Sequence, residues 1–279
     1  MKTRTKIAVL IILAVTMGLM MTGISVAALS GKITIAGSTS VAPHIEALAK
    51  LFMAKNPSVK ITVESIGSGQ GISAAIDGTA DIGMSSRELK DEEKKYLKEY
   101  ELCVDGIAII TSQANPVKKV TKAQAKDIFL GKVTNWKALG GNNGTINIYT
   151  RESTSGTRTA FEELVLGKDA KGAQLTIDEE LCAAVMNSTG QLAQAVSGDK
   201  NGIGYISLGI VSNYNVNALS VDGVAATMEN LAKGTYKIAR PFLLLTKGEP
   251  KEPAKTFIDF CLNDKQAKDY LTEKAFIVK

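Results

Sequence analysis

Tyr149-Thr150-Arg151-Glu152-Ser153-Thr154-Ser155-Gly156-Thr157-Arg158 is the stretch from which the rest of the chain can be read. Ahead of it, Ile146-Asn147-Ile148-Tyr149 alternates with period two, as a half-buried strand does, and behind it Phe161, Leu164 and Val165 share one helix face. The turn between them sets hydroxyls and a glycine between two arginines. A helix start presents unpaired N–H groups and the positive end of the helix dipole. Arg151, Ser155, Gly156 and Thr157 would therefore gather a fixed charge, hydroxyls and amides around one small volume, which is chemistry suited to an oxyanion.

The same arrangement recurs upstream. Ile33-Thr34-Ile35-Ala36 breaks at Gly37-Ser38-Thr39-Ser40 before Pro43 and an apolar repeat at Ile45, Leu48, Ala49 and Phe52. These hydroxyls could equally cap the helix, since Ser or Thr ahead of a first-turn Pro is an N-cap signature. Strand-like residues 61–66 lead through Gly67-Ser68-Gly69-Gln70-Gly71 into a helix carrying Ile72, Ala75 and Ile76, and Asp81-Ile82-Gly83-Met84 ends in Ser85-Ser86-Arg87. Strands alternating with helices predict a parallel or mixed α/β architecture, whose ligands sit at the carboxyl ends of strands. Three such turns precede residue 90 and one follows residue 145, so a single ligand touching all four requires a cleft between two domains.

Several function classes lose support. The 33 Lys and Arg against 28 Asp and Glu include Lys2, Arg4 and Lys6, and without those three the balance is 30 to 28, no footprint for nucleic acid. The five-residue glycine turn places its third glycine one residue too early for a dinucleotide fingerprint, and no P-loop exists. No His, Asp and Glu grouping has metal-ligand spacing, so no metal or cofactor is expected. A hydrolase acting on phosphoesters would need Ser155 as nucleophile beside an activating base, and His44, the only histidine, is read as a surface or helix-end residue. Cys103, Cys182 and Cys261 are odd in number and far apart, and are read as buried thiols.

Residues 7–29 form an uncharged apolar run behind the basic start, closing on Ser25, Ala27 and Ala28. Small residues there suit export-signal cleavage, while the length would also span a bilayer as an anchor. Both readings place the rest outside the cytoplasm. Residues 91–101 are read as a solvated helix, residues 105–111 as a buried strand opening on the carboxylate Asp105, and Trp136 as a packing anchor. Ser188 and Thr189 are read as N-caps and Arg158 as a helix-surface residue. Strands are expected over residues 202–207, 216–223, 236–239 and 240–246, and a closing helix through Phe257, Ile258, Phe260 and Cys261.

Taken in order, Gly37-Ser38-Thr39-Ser40-Val41, Gly67-Ser68-Gly69, residues 81–87, residues 151–157, Ile203-Gly204-Tyr205 and Arg240-Pro241-Phe242 resemble the phosphate-binding proteins of bacterial phosphate ABC transporters. The resemblance implies the two-lobed type II periplasmic-binding-protein fold with ligand in the cleft. Lobe one would hold residues 30–108 plus 235–279 and lobe two residues 109–234, with residues 1–28 as signal or anchor. It implies a monomer that binds inorganic phosphate, without a cofactor, and partners the transmembrane permease subunits of an ABC transporter. Carried over by position, Thr39, Ser40 and Ser68 would form one jaw and Arg151, Ser155, Gly156 and Thr157 the other. Where relatives place an aspartate to accept the proton of monohydrogen phosphate, this chain has Ser86, followed by Arg87, itself a site candidate or an ion-pair partner of Glu88. Asp105 is then the first candidate acceptor and Glu152 the second. Phosphate with little sulfate competition is expected if one of these carboxylates reaches the cleft, and another tetrahedral oxyanion such as sulfate or molybdate becomes favoured if neither does.

Overall fold

A computed structural model describes residues 28–274 and Phe276. The apolar run read as signal or anchor lies, up to Ala27, outside the described residues, and among those described no helix is long and apolar enough to cross a membrane.

Strand β1 (Gly31–Gly37), helix α1 (Ala42–Lys55), β2 (Val59–Ser65), α2 (Ser68–Asp77) and β3 (Ile82–Ser85) are the first βα units, with β1 parallel to both β2 and β3. A one-turn helix α3 (Asp91–Lys94) precedes β4 (Lys98–Ser112). Then come β5 (Lys119–Val120), α4 (Lys122–Phe129), β6 (Asn147–Arg151), α5 (Gly156–Phe161), β7 (Ala184–Met186), α6 (Thr189–Gly198), β8 (Gly202–Ser207), β9 (Val216–Ala218), β10 (Ser220–Val221) and α7 (Met228–Ala232). The chain closes with β11 (Ala239–Thr246), α8 (Ala254–Asn263) and α9 (Lys265–Glu273).

Among the described residues nine strands form one sheet in the order β2-β1-β3-β11-β4-β8-β6-β7, with β9 also against β4. Strand β4 runs through both halves of it. Its first part, to Gly106, pairs antiparallel with β11, and from Ile107 onward it pairs with β8. The buried side chains change company at the same place. Ile33, Ile45, Phe52, Cys103, Phe242 and Phe257 belong to one core, whereas Ile107, Phe129, Trp136, Phe161, Tyr205 and Ile238 belong to another. A small third cluster around Ile72, Leu89 and Leu245 packs under α2. Each large apolar side chain so buried contributes roughly 1.5–3 kcal/mol, so each core is stabilised by its own packing.

Three local expectations give way to tertiary packing. Residues 98–101 are strand rather than helix, because Lys98 to Glu101 pair with Leu243 to Thr246 and the alternation of that ladder overrides the helical charge spacing. Strand β11 begins at Ala239, since the Tyr236 amide donates to Asn230 O and its hydroxyl to Ile107 O (2.8 Å). His44 is buried, not exposed: its ring meets Phe276 edge-on at 4.6 Å, and burial with nearby Lys274 lowers its pKa to about 4. Trp136 is the packing anchor expected, its indole N–H donating to Asn201 O at 2.9 Å. Cys103 and Cys261 are buried, while Cys182 is half-buried.

Candidate anion-binding site

Strand β6 delivers Arg151 buried at its carboxyl end, and the amide of that residue donates to the hydroxyl of Tyr205 (3.3 Å), which is stacked on Phe161 at 4.2 Å. Ser155 caps α5 by accepting from the Arg158 amide at 3.3 Å. Gly156 and Thr157 follow as the first residues of the helix, whose amides have no intrahelical acceptor. Opposite them stands the start of α2. A Cβ on Gly156 would lie 2.2 Å from Ser68 Oγ, 2.7 Å from Ser68 Cβ and 3.0 Å from Ser86 Oγ, so the close approach of the two helix starts demands glycine. The Gly69 amide donates across the same gap to Thr154 O at 2.9 Å.

Beside this contact lies a chain of hydroxyls, buried except for the half-buried Thr39. Thr157 Oγ1 contacts Ser40 Oγ (2.9 Å), Ser40 Oγ contacts Thr189 Oγ1 (3.0 Å), and Thr189 Oγ1 contacts Thr39 Oγ1 (3.0 Å). Ser68 Oγ accepts from the Ser86 amide at 3.1 Å and lies 3.3 Å from Ser86 Oγ. Hydroxyls from both cores thus meet where the sheet crosses between them.

Two arginines bracket the chain in the same manner. Arg151 donates through Nε and Nη2 to the two oxygens of Glu152, both at 2.8 Å, and its Nη1 reaches Thr189 Oγ1 at 3.0 Å. Arg240 donates through Nε (3.1 Å) and Nη2 (3.0 Å) to Asp105 Oδ2, and its Nη1 reaches Thr157 Oγ1 at 2.7 Å and Ser86 O at 3.1 Å. Each carboxylate fixes one edge of a guanidinium and leaves one nitrogen facing the hydroxyls, the pre-organised planar geometry for which arginine is suited. Asp105 and Arg240 are register partners on β4 and β11, so this buried pair ties the two crossing strands together. Full burial raises the Asp105 carboxyl above its ordinary range and lowers the Arg240 guanidinium, and their mutual attraction opposes both shifts.

The sequence-derived residues divide accordingly. Thr39, Ser40, Ser68, Ser86, Arg151, Gly156 and Thr157 come together, with Ser155 behind them as the cap. Arg87 does not join them, because its guanidinium is bidentate to Glu93 (2.8 and 2.7 Å) and also bonds Glu88 O. Asp105 is present, but as the clamp of Arg240. Thr189 is not the cap: Ser188 is, and Thr189 turns inward from the first helical position. Arg158, read as exposed, is buried against Glu162, Glu179, Arg151 O and Ile177 O, where it holds the end of β6 in place. Arg240 was missed; a lone cation entering an apolar strand with no acid nearby in sequence is the signal that marks it. Among the described residues no group of His, Cys, Asp and Glu could hold a metal ion.

Two cores joined by crossing strands, with a cluster of hydroxyls and two arginines between them, give a two-lobed fold. A family model described as the PBP superfamily domain matches residues 24–265. The phosphate-binding protein PstS of Bacillus subtilis is 32% identical over 251 residues, covering 89% of this chain and 81% of the relative. That of Borreliella burgdorferi is 30% identical, covering 88% and 89%. Among solved structures, a proposed phosphate ABC transporter substrate-binding protein of Clostridium perfringens with bound phosphate superposes with a TM-score of 0.81 at 43% identity, covering 89% of this chain and 100% of that one. An ABC-type phosphate transport receptor of Vibrio cholerae gives 0.72 at 36% identity, covering 88% and 100%. The chain belongs to the PBP superfamily and, within it, to the family of PstS phosphate-binding proteins.

Proposed function

We propose that the chain binds inorganic phosphate outside the cytoplasm, in the cleft between its lobes, and delivers it to the membrane subunits of an ABC permease. One observation carries the site assignment: two buried guanidiniums, each clamped along one edge by a carboxylate, aim their remaining nitrogens into a chain of hydroxyls drawn from both cores. Thr39, Ser40, Ser68 and Ser86 bind from lobe one, and Arg151, Gly156, Thr157 and Thr189 from lobe two, with Arg240 at the crossing. Ser155 contributes as the cap of α5 and Asp105 and Glu152 as clamps, while Arg87 is held by Glu93 away from the cluster.

The lobes are residues 30–108 plus 235–279 and residues 109–234; the switch of cores between Cys103 and Ile107, and between Ile238 and Phe242, supports a division within a few residues of these bounds. Contacts such as Ser40 to Thr157 join the lobes through the site itself, so ligand and closure reinforce each other, which suits capture and hand-over by a monomer. Export by the N-terminal apolar run fits the extracytoplasmic role. Binding without turnover is favoured because the Ser155 hydroxyl, the nucleophile a hydrolase would need, has the Arg158 amide as its only hydrogen-bond partner among the described contacts and no base beside it. Calorimetric titration with inorganic phosphate tests the reading. The wild type should bind one anion per chain, and Arg151→Ala should weaken binding by roughly tenfold to 150-fold, the worth of a charge-assisted hydrogen bond. Absence of binding by the wild type, or an unchanged affinity in the variant, would remove the assignment.

A further inference from the structure

Behind the crossing strands, on the side away from the hydroxyl cluster, the two lobes meet again. Asp105 marks the line between the two sides. Its Oδ2 faces Arg240, whose Nη1 reaches Thr157, while its Oδ1 accepts from the Ser207 hydroxyl (2.9 Å) and the Gly209 amide (3.4 Å). Gly209 belongs to the 3₁₀ helix Leu208–Asn213, which follows β8 and packs into the lobe-two core through Leu208 and Ile210. Against it stands Phe276, a buried member of the lobe-one core. A Cβ on Gly209 would lie 2.5, 2.9 and 3.4 Å from three atoms of the Phe276 ring, so the contact has no room for one more carbon.

The ring has little freedom to withdraw. His44 meets it edge-on at 4.6 Å and Phe242 lies 5.5 Å from it, while the Phe276 amide donates to Leu271 O (3.1 Å) and so fixes the residue to α9. Beside this contact the rear of the molecule is a gap. A cavity of about 550 Å³ is lined from lobe one by Pro43, His44 and Tyr270 and from lobe two by Gly209, Ile210 and Asn213. The gap can shrink when the lobes move, whereas the ring and the glycine are already touching.

We infer that Phe276 is a rear stop for the lobes: it limits how far the cleft opens and holds the ligand-free protein near its closed form. The inference rests on the two-lobed reading of the chain and not on the identity of the anion. Front and rear lie on opposite sides of the crossing strands β4 and β11, so a rotation about these strands that parts Gly156 from Ser68 drives Gly209 toward Phe276. Packed side chains resist such overlap steeply. Overlap that opening requires and closure avoids is a difference in free energy between the two conformations. It appears in the affinity because only the closed form holds the anion from both lobes.

The test uses the full chain, with small-angle scattering in the absence of ligand and calorimetric titration with inorganic phosphate. Phe276→Ala should enlarge the radius of gyration of the ligand-free protein, leave that of the phosphate-saturated protein unchanged, and weaken phosphate binding by at least about threefold. Gly209→Ala works in the opposite direction and removes no core side chain. It adds a methyl group to a backbone outside the left-handed region, where opening presses it further into the ring. Its ligand-free radius should move toward the phosphate-saturated value, and phosphate should bind at least about threefold tighter. In the Phe276→Ala background the same methyl group should change the affinity by less than about twofold, which an effect passing through Asp105 would not give. A ligand-free radius of Gly209→Ala that is unchanged or larger, with affinity unchanged or weaker, overturns the inference even if Phe276→Ala fails to fold. A wild type that binds no phosphate removes the phosphate reading alone, because the scattering comparison needs no ligand and still decides the stop.

Discussion

Gly156→Ala separates closure from folding. Gly156 is the first residue of α5, where alanine is favoured over glycine by up to about 1 kcal/mol, so the lobe that carries it should be no less stable. The new methyl group would sit 2.2 Å from Ser68 Oγ and 2.7 Å from Ser68 Cβ. The hydroxyl can rotate away, but the Cβ is fixed to the first residue of α2, so the two helix starts must move apart by several tenths of an ångström or more. Overpacking of this kind costs roughly 1–3 kcal/mol, and it falls on the closed form alone, which predicts phosphate affinity reduced by roughly 5- to 150-fold. Calorimetry measures the affinity, thermal unfolding without ligand checks that the fold is intact, and small-angle scattering at saturating phosphate should show a larger radius of gyration than for the wild type. Unchanged affinity and an unchanged scattering profile would refute the claim that Gly156 and Ser68 meet across the closing interface.

Two further outcomes follow from buried charge. His44 titrates at about 4 in the fold against an ordinary 6.5, so the unfolded chain binds the extra proton first, and stability is complete above pH 6.5 and lost as pH falls toward 4; the difference in urea-derived stability between wild type and His44→Gln should change by roughly 2–3 kcal/mol between pH 7.5 and 4.5, and identical pH slopes would contradict it. Asp105→Asn leaves the buried Arg240 without its counter-charge and should destabilise the fold by roughly 3–5 kcal/mol in urea while the phosphate-to-sulfate affinity ratio stays the same; a changed ratio with intact stability would put Asp105 against the ligand instead.

How far the sequence reveals this molecule depends on how local each cause is. The β1–α1, β2–α2 and β6–α5 units are legible because periodicity and turn chemistry act over a dozen residues, and the anion turns follow from them. Arg240 and Asp105 are 135 positions apart, so their pairing is invisible until β4 and β11 lie in register, and Asp105 reads as an open acceptor when it is a clamp. Thr189 looks like a cap because Ser188 beside it is one; only the approach of Thr39 and Ser40 from the other core shows which of the two hydroxyls turns inward. His44 and Arg158 follow the same rule: their apparent exposure on single helices disappears once Phe276, Glu179 and Ile177 cover them.

The most direct measurement is a crystal structure of the chain grown with inorganic phosphate. The account predicts tetrahedral density between Arg151, Thr157, Ser40 and Thr39, within hydrogen-bond reach of an Nη1 atom and of the first amides of α5, with Glu152 and Asp105 still on their arginines. Density seated instead in the separate surface cavity lined by Gln70, Ser73, Arg87, Lys90 and Thr154, with the hydroxyl chain still closed on itself, would contradict it.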